Sequence, residues 1–359
     1  MSEHDPGPYP DRVLGGGRAG PPSTRYHSQC APSEITMEPL YALRFEPVFR
    51  QYIWGGRKLG DVLGKPIGPD GVYAESWEIV DHGDDQSVVA ASPLAGTTLG
   101  ELVRDRGEQL LGRHHPQASF PLLVKFLDAA KTLSVQVHPN DAQAARLDPP
   151  DQGKTEAWVV LDAEPEAVIY AGLKPGVDRA GLAEAIETGR CQDCLHRFHP
   201  ERGDCVFIPA GTVHALGEGL LVAEIQQASD TTFRLFDWNR VGPDGKPREL
   251  HVDQGLAVID FDRGPVDPQK GRPGDRADVS RLVECEKFVL DRWQLNSPQT
   301  MGGDGRAHVI TVLQGSLCVG GDPSRTALQR GATALLPAAL GPLRLTPTSE
   351  SAILDAYLP

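Results

Sequence analysis

The stretch from Leu133 to Arg240 constrains this chain more than any other. It runs LSVQVHPND, then GKTEAWVVL, then GDCVFIPAGTVHALGEG, then EIQQASDTTFRLFDWNR. From Leu133 to His138 the apolar residues alternate with Ser134, Gln136 and His138, the period-2 pattern of a strand with one polar face. Gln136 and His138 therefore point the same way. Pro139 stops the ladder, and Asn140 with Gln143 has the spacing of a capping box, so His138 sits at a strand end before a short helix.

Glu156 opens a second strand-like run, Glu156 to Leu161. The run Asp204 to Pro209 reads as a buried strand, and Pro209-Ala210-Gly211-Thr212 reads as a turn that delivers His214. Taken singly, a strand-end His or Glu is most often an ordinary polar residue. Three separated segments that each carry such a residue at a strand end favour a shared metal site. Two neutral imidazoles with oxygen donors and no thiolate suit a borderline or hard metal ion.

The formal net charge of −14 argues against nucleic acid and anionic membranes as partners. Any anionic substrate would need local cations to overcome this field. No apolar run approaches membrane-spanning length, and MSEHDPGPYPDR lacks the regions of a signal peptide, so a cytoplasmic protein is expected. Six cysteines without a disulfide-scaffold pattern fit a reducing compartment, and Cys191-Gln-Asp-Cys194 reads as incidental.

The composition divides the chain. Residues 1–36 form a Gly-, Pro- and Ser-rich tail expected to be disordered, either an extension or the product of a start codon upstream of Met37. Residues 37–262 form the metal-binding unit. From Leu40 to Leu173 it reads mostly as strands, and a helical insertion spans about 175–200, with a helix between Asp178 and Gly189. Residues 263–278 read as a linker. In 279–359, Gly331-Ala-Thr-Ala-Leu-Leu-Pro echoes Gly203-Asp-Cys-Val-Phe-Ile-Pro, and His308-Val-Ile-Thr-Val-Leu echoes Glu156-Ala-Trp-Val-Val-Leu. The second copy has no counterpart of His214. The expected fold is mainly β: two jelly-roll barrels, the second degenerate and without a metal site.

SVQVHPND, GKTEAW, PAGTVHALG and SDTTFRLFDWNR resemble the motifs of type I mannose-6-phosphate isomerases, particularly the short bacterial forms. PVFRQYIWGGRKLGDVLG, AESWEI and PLLVKFLDAAKTLSVQVHP extend the resemblance over roughly Leu40 to Asp260. It implies a cupin barrel, one zinc ion per chain, and reversible interconversion of mannose 6-phosphate and fructose 6-phosphate. By the same resemblance, His138, Glu156 and His214 match the zinc ligands, and Gln136 matches a further ligand of the longer members. Arg234 matches the catalytic arginine, and Glu224 and Lys154 match charged residues of the pocket.

Aldose–ketose isomerisation moves a proton between adjacent carbons through an enediol. It needs an electrophile at the oxygens, a base over the carbons and a clamp for the phosphate. Arg234 would serve the oxyanion or the phosphate, with Lys125 as a second substrate-binding cation. Glu224, a metal-activated water or Lys154 could take the proton, with Glu224 favoured. The expected partner is a small sugar phosphate, and the protein a monomer or homodimer. Two other readings are open: another metal-dependent cupin enzyme such as an oxygenase, and a non-catalytic sugar-binding cupin.

Overall fold

Alternating sequence becomes two pairs of antiparallel sheets. The computed structural model describes residues 38–91, 93–241 and 245–359, so the expected tail over 1–36 lies outside the described residues. In the first barrel a six-stranded sheet runs in the order Cys205–Ile208, Glu156–Ala163, Leu220–Gln227, Leu122–Ala129, Glu75–Ile79, Val48–Arg50. Facing it is a five-stranded sheet: Leu195–Phe198, Ile169–Leu173, His214–Leu216, Val135–Val137, Phe233–Phe236.

The pleat sorts the side chains. Trp158, Val160, Val222 and Leu127 form a cluster with Ile169, Ala171 and Leu216 from the facing sheet, which is the barrel interior. Their neighbours Val159, Leu161, Leu221, Ala223 and Phe126 point the other way, into a cluster shared with Leu290, Leu335 and Leu354. One sheet therefore serves two cores. Each fully buried Leu, Ile or Val contributes roughly 1.5–3 kcal/mol of transfer free energy.

The second barrel repeats the first in strand order and register. Its six-stranded sheet runs Thr333–Leu336, His308–Gln314, Ser351–Tyr357, Val289–Leu295, Val279–Glu284, Arg272–Pro273, and it faces a four-stranded sheet. In the first barrel one row across the sheet reads Val206, Trp158, Glu224, Lys125, Trp77. In the second the matching row reads Ala334, Ile310, Asp355, Asp291, Arg281. The echo of Gly203 in Gly331 and of Glu156 in His308 places these rows on each other residue by residue.

Several elements depart from expectation. A helix, Leu99–Leu111, interrupts the stretch expected to be mostly strands. Thr98 and Glu101 close a capping box at its start, and Leu99, Leu102, Val103, Leu110 and Leu111 join the shared core. The insertion does contain the expected helix, Arg179–Glu187, capped by Asp178, but strand structure resumes at Leu195 rather than Asp204. Residues 263–278 are not a free linker. Pro265 bridges to Gly172, Gln269 to Cys205, and Arg272–Pro273 pairs with the Val279–Glu284 strand. Among the described residues no helix is long and apolar enough to cross a membrane.

Candidate metal centre

Ladder pairing brings the sequence-predicted residues together. On the five-stranded sheet Gln136 is the direct partner of both His214 and Arg234, so the three stand side by side across adjacent strands. Phe233 and Leu235 pack in the outer cluster of that sheet, and Arg234 between them takes the opposite face. On the six-stranded sheet Glu156 pairs with Gln226, and Glu224 pairs with Trp158 and Lys125. His138 follows the Val135–Val137 strand, and Asn140 caps the next helix through the expected box with Gln143.

His138, Glu156 and His214 converge with one potential ligand atom each, all within 4.8 Å of one another, and all three are buried. His214 Nε2 lies 3.2 Å from Glu156 Oε1, and His138 Nε2 lies 3.6 Å from Oε2. The other ring nitrogens are committed: His138 Nδ1 to the Thr231 carbonyl and His214 Nδ1 to the Thr212 carbonyl, each at 2.9 Å. Those bonds assign the proton to Nδ1 and leave the Nε2 lone pairs directed at the Glu156 carboxylate. Burial, reinforced by Lys154, holds His138 well below its ordinary range, and burial brings His214 down to about 4. Neutral lone pairs facing an anion repel unless a cation stands between them. Neither Glu156 oxygen receives a well-aligned hydrogen bond, although Lys154 Nζ forms an ion pair with Oε2 at 2.7 Å. The donor set therefore fits a divalent ion of the zinc class.

Above this group lies a cavity of about 330 Å³ lined by Gln136, Lys125, Lys154, Glu224 and Arg234. Gln136 and Lys154 link it to the centre, through Gln136 Nε2 at 3.2 Å from His214 Nε2 and Lys154 Nζ at 3.2 Å from His138 Nε2. Lys125 and Lys154 are not solvated strand-end charges; both are buried. Lys125 Nζ stands 3.4 Å from Glu75 and 3.5 Å from Glu224, and Lys154 also reaches Glu224 at 3.5 Å. Burial alone would raise the Glu224 carboxyl. The two ammonium groups, with the Trp158 indole N–H donating at 3.0 Å, outweigh it and bring Glu224 to about 2. Glu156 goes the other way, raised by burial and by the charge of Glu224. Arg234 donates from Nη1 to the Glu249 carbonyl at 2.9 Å, and its Nε is buried without an acceptor.

Glu75, Asp230, Tyr52, Trp54 and Arg248 line the same cavity and were not anticipated. The alternation of Ala-Glu-Ser-Trp-Glu-Ile was the available signal for Glu75; Asp230 sits in a loop and carried none.

A family model, phosphomannose isomerase type I, catalytic domain, matches residues 42–169. The mannose-6-phosphate isomerase ManA of Bacillus subtilis is 35% identical over 320 residues, covering 88% of this chain and 98% of the relative. The chain belongs to the type I phosphomannose isomerases. Another relative, a mannose-6-phosphate isomerase of Streptococcus mutans, is 33% identical over 303 residues, covering 81% of this chain and 92% of its own. The crystal structure of the mannose 6-phosphate isomerase from Bacillus subtilis superposes with a TM-score of 0.81 at 29% identity, covering 89% of this chain and all of that one. As a type I phosphomannose isomerase the chain is an enzyme with the mainly-β fold expected from its sequence. That membership sets aside the oxygenase and binding-protein readings.

Proposed function

We propose that the chain interconverts mannose 6-phosphate and fructose 6-phosphate through an enediol, with a zinc ion held by His138, Glu156 and His214 and approached by Gln136. The observation that carries this reading is the buried His/Glu/His group beneath a cavity lined by Lys125, Lys154, Glu224 and Arg234. A zinc ion bound there supplies Lewis acidity toward the carbonyl and hydroxyl oxygens of the sugar. The protein residues do the rest. Lys154 keeps its proton, raised by Glu156 and Glu224 against the cost of burial, and serves as a donor to substrate oxygen. Glu224 is ionised and placed to accept the carbon-bound proton; displacement of water by the bound sugar strengthens it as a base. Arg234 offers a planar set of donors to the oxyanion or the phosphate, and Lys125 adds local positive charge in a protein of net charge −14.

The decisive experiment pairs metal analysis of the purified protein with a coupled assay on mannose 6-phosphate. One zinc per chain and turnover lost on chelation and regained on adding zinc are expected. Full turnover by metal-free protein would end the zinc reading, and absence of turnover by the zinc-loaded protein would end the substrate assignment.

A further inference from the structure

A second cavity, of about 240 Å³, lies between the two barrels and away from the catalytic pocket. Its walls are the Glu156–Ala163 strand and the turn at Arg202-Gly203 on one side, with Arg292, Gln294, Gln314 and Ala352 of the second barrel on the other. Arg292 leans across the gap and donates from Nη2 to the Gly203 carbonyl at 2.5 Å.

Arg292 shares the marks of Arg234 in the catalytic pocket. The Nε atoms of both are buried without an acceptor among the described residues. Arg234 and Arg292 each spend a terminal nitrogen on a backbone carbonyl rather than on a carboxylate. Burial lowers the pKa of Arg292. Asp204, the acid whose charge opposes that effect, also accepts from the Glu201 amide at 2.8 Å. A half-buried guanidinium with an unpaired Nε costs free energy unless an anion answers it. In a chain of net charge −14, two arginines lining one cavity are not a by-product of composition.

We propose that the inter-barrel groove is a binding site for a small phosphorylated anion, held between Arg202 and Arg292, with Gln294 and Gln314 placed to meet its hydroxyl groups. Guanidinium groups match phosphate oxygens in charge and planar geometry, and the amides suit a short polyol arm. Because its walls come from both barrels, an occupant would tie one to the other.

The test is hydrogen–deuterium exchange on the full chain, titrated separately with inorganic phosphate and with glycerol 3-phosphate. Saturable slowing is expected in the peptides around Arg202 and Arg292. Arg202→Gln, at an exposed position, should weaken that response about tenfold or more while leaving turnover without added anion unchanged. Arg292→Lys, which keeps the charge but loses the planar pair of donors, should weaken it as well. Tighter binding of glycerol 3-phosphate than of phosphate would support an ester as the ligand, and equal binding would support the free ion. Protection confined to the catalytic pocket, or a groove response unaltered in both variants, would overturn the proposal.

Discussion

Lys125 and Glu224 are direct partners on neighbouring strands, and their ammonium and carboxylate groups approach to 3.5 Å inside the first barrel. The same row of the second barrel holds Asp291 and Asp355, so a charge-balanced pair has become two carboxylates. Their cations are Arg281, the next residue of that row, and His308 of the adjoining strand. Arg281 binds Asp291 at 2.5 Å, and His308 binds Asp355 at 2.9 Å. The row thus kept its polarity while losing the lysine that faces the sugar pocket in the first copy.

Replacing Lys125 by Gln should expose what that lysine does. Two buried carboxylates, Glu75 and Glu224, would lose their shared cation, and removing one partner of a buried pair costs about 3–5 kcal/mol. The depressed Glu224 contributes stability above its unfolded value, and that contribution is lost as pH falls through about 2. In the variant the carboxyl titrates higher. The acid limb of the kcat/KM profile should therefore move to higher pH, beside a lower denaturant midpoint. An unmoved limb would show that Glu224 does not set it.

His138→Ala or His214→Ala should remove tightly bound zinc and turnover together, since two remaining protein ligands hold zinc poorly. Elemental analysis after dialysis reads the first effect and the coupled assay the second. Retention of one zinc per chain by either variant would exclude that histidine as a ligand.

Arg234→Lys should leave fold and zinc content intact and lower turnover by about a hundredfold. Lysine keeps the charge but not the planar pair of donors. A contact made mainly in the transition state depresses kcat and kcat/KM alike, whereas a phosphate anchor mostly raises KM. Steady-state kinetics separates the two, and wild-type values in both parameters would remove Arg234 from the site.

His308→Ala should leave zinc content and turnover near wild type but cost stability. His308 is wedged between Asp355 and Asp304, and their charges raise it to about 10 against the effect of burial. A group raised in the folded state stabilises fully below its unfolded value near 6.5 and loses that effect as pH rises through about 10. The deficit of the variant, about 3–5 kcal/mol near neutrality, should shrink between those limits in chemical denaturation. A deficit that grew with pH would contradict the pairing.

Much of the site was legible because strands have a fixed period. Period-2 alternation by itself puts Glu224 on the face of Gln226 and Arg234 opposite Phe233 and Leu235, as it puts Gln136 beside His138, and the ladders show the same arrangements. What alternation cannot give is which strand lies beside which. Glu75 meets Lys125 only because the Glu75–Ile79 strand joins the sheet fifty residues away, a pairing with no local signature. The Leu99–Leu111 helix was a different failure, since Thr98 and Glu101 carry a readable capping box. That local signal competes with strand-like sequence on both sides.

The residues that open the described chain belong to the far barrel. Leu43 exchanges backbone hydrogen bonds with Leu335, Ala42 packs among Ile310, Val312 and Leu336, and Arg44 pairs with Asp322. The polypeptide thus leaves one barrel to build the other and then returns to the strand beside its own beginning. A cut after residue 262 would not free an independent enzyme; it would strip Leu40 to Leu43 of their cover and bare the outward face of the catalytic sheet. Heat or denaturant should accordingly dissolve both halves in one cooperative transition, with neither able to serve as the other's spare part.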